Sequence, residues 1–218
     1  MLQGITNCLS LICNLAIAAF MVKSLVGFFT VGGSGNMQVK KTRAFVFFTV
    51  QSNLFMAVCS AVMLFFNVTA LLRGGAQVPY WFETVKFTAT VAVSVTLFVV
   101  MLVFVPTTGL KPMIDGDNIF LHLISPVLAI VTFVLFDGSV RLAPSALAFA
   151  MIPVFAYAVL YYIMVIIVGE EKGGWPDFYY FNKGGKWYLS ALGVFGMALT
   201  LAFLIRVGHN ALACGLLG

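Results

Sequence analysis

The sequence predicts an all-α integral membrane protein, a single six-transmembrane-helix bundle over residues 1–218. Three observations carry this expectation. Of 218 residues, 62% are hydrophobic and only 9% charged, against about a quarter charged in a water-soluble domain. The apolar residues fall into six runs near the ~20 residues that cross a bilayer. The runs are uniformly apolar rather than alternating, so helices and not barrel strands must satisfy the backbone in lipid. With a mean hydropathy of +1.07, too little polar surface remains to clothe a globule in water. That excludes a soluble enzyme, a nucleic-acid-binding module and a disordered chain. The net charge of +5 sits near apolar runs, where basic residues set topology and touch anionic lipid.

The spans fall at residues 5–28, 44–72, 83–105, 119–136, 142–168 and 187–207. Six spans use about 120 residues and leave room only for loops. The first run lacks a basic leader and a small-x-small cleavage site, so it is read as a span. Turn formers punctuate the connections: Gly32, Gly33 and Gly35; Gly74, Gly75 and Pro79; Pro106 to Asp117; Asp137, Gly138 and Arg141; and Gly169 to Lys186. Cys8, Cys13, Cys59 and Cys214 form no CxxC pair and read as small hydrophobes rather than a redox or metal site. Loops 1, 3 and 5, the odd side, carry 8 of the 12 Lys and Arg, namely Lys23, Lys40, Lys41, Arg43, Lys111, Lys172, Lys183 and Lys186. The other side has Arg73, Lys86, Arg141 and Arg206. The bias favours odd loops in the cytoplasm and both termini outside.

No Asp or Glu lies deep in a span; Glu83 and Asp137 stand at span edges, which weighs against an ion-coupled transporter. Glu83 and Lys86, three apart, are spaced to pair with each other. Span 2 opens with Phe47-Phe48-Thr49-Val50-Gln51-Ser52-Asn53. At 100° per residue Thr49, Ser52, Asn53, Ser60 and Asn67 share one face within about 60° of Thr49, and Gln51 points away. Such a stripe faces the bundle interior, as helix–helix glue or as a site. Span 4 opens with His122-Leu123-Ile124-Ser125-Pro126. Pro126 has no N–H, so the His122 carbonyl is expected to lose its i+4 partner beside a group that titrates near neutral pH. Spans 2 and 4 both begin on the odd side, which puts Thr49 and His122 roughly 5–8 Å below their helix starts. A hydroxyl needs an adjacent base to act as nucleophile. His122 is that candidate base, with Asn53 or Ser52 as oxyanion donors. Ser52 is the rival nucleophile. No metal or cofactor is expected.

Phe48-Thr49-x-Gln51-Ser52-Asn53-Leu54, with His122 and Pro126 opening a later span, resembles a bacterial six-span membrane family. That family is related to the androgen-induced and androgen-dependent TFPI-regulating proteins, intramembrane threonine hydrolases that cleave fatty acid esters of hydroxy fatty acids. Trp175-Pro176-Asp177-Phe178 loosely echoes the family's Tyr-Pro-aromatic stretch. The resemblance implies a Thr role for Thr49, a His role for His122, a lipid or fatty-acid ester substrate, and a bacterial cytoplasmic (inner) membrane as setting. Two other classes stand beside it: a small transporter or channel, and a structural or sensory protein without turnover. Trp175, Phe178, Tyr179, Tyr180, Trp187 and Tyr188 read as an interfacial aromatic belt, with a lid as the alternative. Pro153 is expected to kink span 5.

Overall fold

The structure, a computed structural model, describes residues 2–30, 41–73, 78–138 and 140–217. The loop glycines Gly32, Gly33, Gly35, Gly74 and Gly75, with Lys40 and the side chains of Lys41 and Cys214, lie outside the described residues.

The described chain is all-helical. Helices α1 (Leu2–Thr30) and α2 (Phe48–Arg73) are followed by α3 (Tyr80–Thr108), α4 (Phe120–Leu135), α5 (Ala146–Val168) and α6 (Trp187–Leu217). Five of these are long and apolar enough to cross a membrane; α4 is a shorter apolar helix, rising about 24 Å at 1.5 Å per residue. By length and composition these apolar helices suggest a membrane protein. The expected span 2 start at 44 falls in a 3₁₀ turn, Lys41–Val46, ahead of α2. Span 6 runs about three turns further than the sequence suggests, so His209 lies within α6.

α3 is the central post. It packs against α2, α4, α5 and α6, while α1 covers α2 and α4. Its residues from Phe82 to Leu97 are almost all buried, as expected of a helix apolar on every side. The span 2 stripe faces inward: Thr49, Ser52, Asn53, Ser60 and Asn67 are all buried. Gln51 turns the other way and donates to the Phe45 carbonyl at 2.7 Å, tying down the 3₁₀ turn. Pro153 sits inside a continuous α5. The irregular turns lie elsewhere, as π turns at Val100–Phe104, Phe120–Ile124 and Ile163–Val168.

The end of the bundle away from the odd loops is held by buried charge. Lys86 does not pair with Glu83. Its Nζ lies 2.5 Å from Asp137 and donates to Asn14 at 2.6 Å. Ser10 hydrogen-bonds both Asp137 and Asn67. Glu83 instead meets His209 at 3.3 Å, whose ring stacks on Phe133 with centroids 4.4 Å apart. Because α3 is enclosed, its i and i+3 side chains face different helices, and each finds a partner there. Cys8, Cys13 and Cys59 are free thiols, Cys8 on the outer surface.

Candidate active site

Two proline-adjacent π turns shape the odd end. In α4 the Ser125 N–H reaches back five residues to the Phe120 carbonyl. In that register the carbonyl facing Pro126 is Leu121, one residue before the His122 carbonyl the sequence points to, and proline has no N–H to offer it. Asn53 fills the vacancy: its amide donates to the Leu121 carbonyl at 2.9 Å and to the Thr49 carbonyl at 2.8 Å. In α3 the Val105 N–H likewise reaches back to Val100 just before Pro106. π turns often mark functional sites, and both line one small cavity here.

That cavity, about 190 Å³, is bounded by Thr49 from α2, Val100 and Phe104 from the α3 π turn, His122 from the α4 π turn, and Phe178 and Tyr179 from loop 5. Thr49 and His122, 5% and 2% exposed, therefore face the same space from two helices. His122 Nδ1 lies 2.8 Å from the Met113 carbonyl. A carbonyl only accepts, so Nδ1 carries the proton and the neutral ring keeps its lone pair on Nε2. Met113 is placed by a short turn of loop 3, Lys111–Ile114, which Asn118 clasps through the Pro112 carbonyl at 3.0 Å. Lys23 of α1 pairs with Asp117 at 2.7 Å and lies over the Phe120 ring.

Thr49 also borders a second, larger cavity of about 680 Å³ between α3, α5 and α6, lined mainly by valines and aromatics. Ser52 faces α3, where its hydroxyl meets Thr96 Oγ1 at 2.9 Å and the Thr49 carbonyl at 3.2 Å. Both N–H groups of Asn53 are spent on backbone carbonyls. Thr49 and His122 thus line one cavity, whereas Ser52 and Asn53 hold the helices around it.

Sequence reasoning missed Tyr179. Its hydroxyl accepts from the Phe48 N–H at 3.0 Å, at the N-terminus of α2, and lies within hydrogen-bonding reach of the Thr49 side chain. Burial pushes the phenol pKa up against these hydrogen bonds, so it stays a neutral donor at ordinary pH. Loop 5 is built to hold it there. The Asp177 carboxylate accepts from the Phe181 and Asn182 N–H groups, each at 2.8 Å, and from the Tyr161 hydroxyl at 3.0 Å. The Tyr161 hydroxyl in turn accepts from the Tyr179 N–H at 3.0 Å. Gly174 is required where the loop leaves α5, since a Cβ there would stand 2.1 Å from the Met164 carbonyl. Phe178 and Tyr179 therefore turn inward, while Tyr188 remains outside. The Pro-Asp pair was the available signal. Among the described residues no group of three His, Cys, Asp or Glu is placed to hold a metal ion.

Comparison with known protein families, characterised proteins and solved structures finds no match.

Proposed function

We propose that this chain is an intramembrane hydrolase of lipid or fatty-acid esters, a six-span bundle in a bacterial cytoplasmic membrane with its odd loops in the cytoplasm. The observation that carries the reading is the small cavity shared by Thr49 and His122, joined at Thr49 to an apolar cavity of acyl-chain size. Thr49 Oγ attacks the ester carbonyl while His122 Nε2 takes its proton. The imidazolium returns that proton to the departing alcohol, leaving an acyl group on Thr49. Water, deprotonated by the same nitrogen, then attacks the acyl carbonyl, and the imidazolium returns that proton to Thr49 Oγ as the fatty acid is released. Tyr179, its oxygen held by the Phe48 N–H, donates to the oxyanion in place of Asn53, whose donors are occupied.

The test is release of fatty acid from a panel of acyl esters by the purified chain. Thr49→Ala and His122→Ala each abolish release, and a serine-hydrolase-type covalent probe mapped by mass spectrometry labels Thr49 and not Ser52. Both variants staying folded with full turnover would refute the assignment. One observation favours a transporter instead: Lys86, Asp137, Glu83 and His209 are buried within the bundle, and intramembrane ionisable groups accompany ion pathways. Flux into liposomes that survives Thr49→Ala would select that reading.

A further inference from the structure

α3 and α6 pack against each other through two buried clusters. Phe87 shares one cluster with Ala202 and Ile205, and Val95 another with Ala198 and Leu201. Toward the odd side this pairing gives way to the large cavity. Val99, Leu102 and Val103 line it from α3, and Ser190, Gly193 and Val194 from α6. Several of these residues also lie on the outer surface: Leu102 is 64% and Val103 38% exposed, and a Cβ at Gly193 would meet nothing within 4 Å. Residues that line a cavity and also face outward mark an opening. The surrounding flank carries exposed Leu189 and Leu192, the surface that hydrocarbon covers rather than water.

We infer that the gap between α3 and α6 is a lateral portal, through which one acyl chain of a bilayer lipid slides into the bundle. The chain lies along Val95, Val154 and Met197, and its polar end lies toward Lys183, the one charged side chain among the described residues lining the cavity. The placing of an ester at Thr49 rests on the hydrolase reading; the portal and the chain site stand apart from it. At roughly 30 Å³ for a water-sized group, about 680 Å³ holds about twenty heavy atoms, enough for one chain and not two. The lining hydroxyl of Thr96 is already engaged by Ser52 at 2.9 Å, so the wall along Val95, Val154 and Met197 offers the chain an apolar surface. On α6 the absence of a side chain at Gly193 keeps the gap open, and on α3 the π turn Val100–Phe104 lies beside it.

The test uses the full chain in phosphatidylcholine vesicles with a fatty acid bearing a mid-chain diazirine. After illumination, mass spectrometry is expected to find label within residues 99–104 and 190–197. Gly193→Trp is expected to lower that label at least tenfold, whereas Gly4→Trp, on the open surface of α1, leaves it unchanged. Leu102→Trp closes the gap from the opposite wall and serves if the α6 variant fails to fold. A bilayer-resident long-chain ester should lose turnover in the plugged variants. Label confined to other helices, or unchanged by both folded plugs, overturns the portal. Label in the gap without hydrolysis of any ester supports the portal and removes the hydrolase. Thr49-dependent hydrolysis without label in the gap does the reverse.

Discussion

Replacing Asn53 by Leu removes the donor that serves the Leu121 carbonyl at 2.9 Å. The Thr49 carbonyl keeps the Ser52 hydroxyl at 3.2 Å, so the orphan is on α4. With the Ser125 N–H committed to Phe120 and none on Pro126, that carbonyl is left buried without a donor. Such a group costs about 1–3 kcal/mol, although measured hydrogen bonds between membrane helices average about 0.6 kcal/mol. Asn53→Leu should therefore destabilise by about 1–3 kcal/mol in reversible unfolding by SDS in mixed micelles. The mechanism is specific enough for a cycle. In Pro126→Ala the new N–H at 126 can serve Leu121 in the same register, or free Ser125 to do so. The cost of Asn53→Leu should then shrink by at least about 0.6 kcal/mol. The effect of losing proline itself cancels in the cycle. An equal cost in both backgrounds would show that Asn53 is not repairing the proline break, and the account of the α4 π turn would fail.

Other perturbations probe the remaining contacts. Lys86→Met strands Asp137 and should cost about 3–5 kcal/mol, while Lys86→Met combined with Asp137→Leu should recover most of it in the same unfolding assay. Tyr179→Phe removes the phenol beside Thr49 but keeps its ring contacts, and should lower kcat on the order of 10²-fold with KM little changed, as loss of one oxyanion donor does. Asp177→Ala removes the acceptor of two backbone N–H groups and should loosen loop 5 by about 1–3 kcal/mol, read as faster amide exchange at residues 177–183.

The all-helical class and the helices long and apolar enough to cross a membrane were legible because composition and run length leave few alternatives. The inward face of α2 was legible too, since helical periodicity alone groups Thr49, Ser52, Asn53, Ser60 and Asn67. The shared level of Thr49 and His122 followed from counting residues below two helix starts on one side. What escaped was everything that depends on which helices are neighbours. Glu83 and Lys86 looked like an i,i+3 pair because an isolated helix offers only each other. Once α3 is surrounded, Asp137 and His209 are nearer. Asn53 looked like a free donor because the π register that consumes it arises from tertiary fit around Pro126. Tyr179 was hidden among aromatics that suit an interface equally well. Only the Asp177 turn, closed by bonds to residues four and five ahead, sends it inward.

The two polar ends of the bundle follow different physical logic. Away from the odd loops, Lys86, Asp137, Asn14, Ser10 and Asn67 engage one another, Glu83 engages His209, and the helices close around them. Such a cluster costs desolvation that apolar packing would avoid, and what it supplies is a fixed register for α1, α2, α3, α4 and α6. At the odd end the polar groups surround space instead. Thr49, His122 and Tyr179 border cavities, and their supporting contacts run to backbone carbonyls and amides in π turns and loops. On the proposed reading the site admits an acyl chain, and a site that does so cannot fill its own volume with side chains. Its geometry has to come from backbone anchors and from the rigid end beyond. Asn53 joins those two requirements: it holds the helix carrying His122 to the helix carrying Thr49 without occupying the cavity between them.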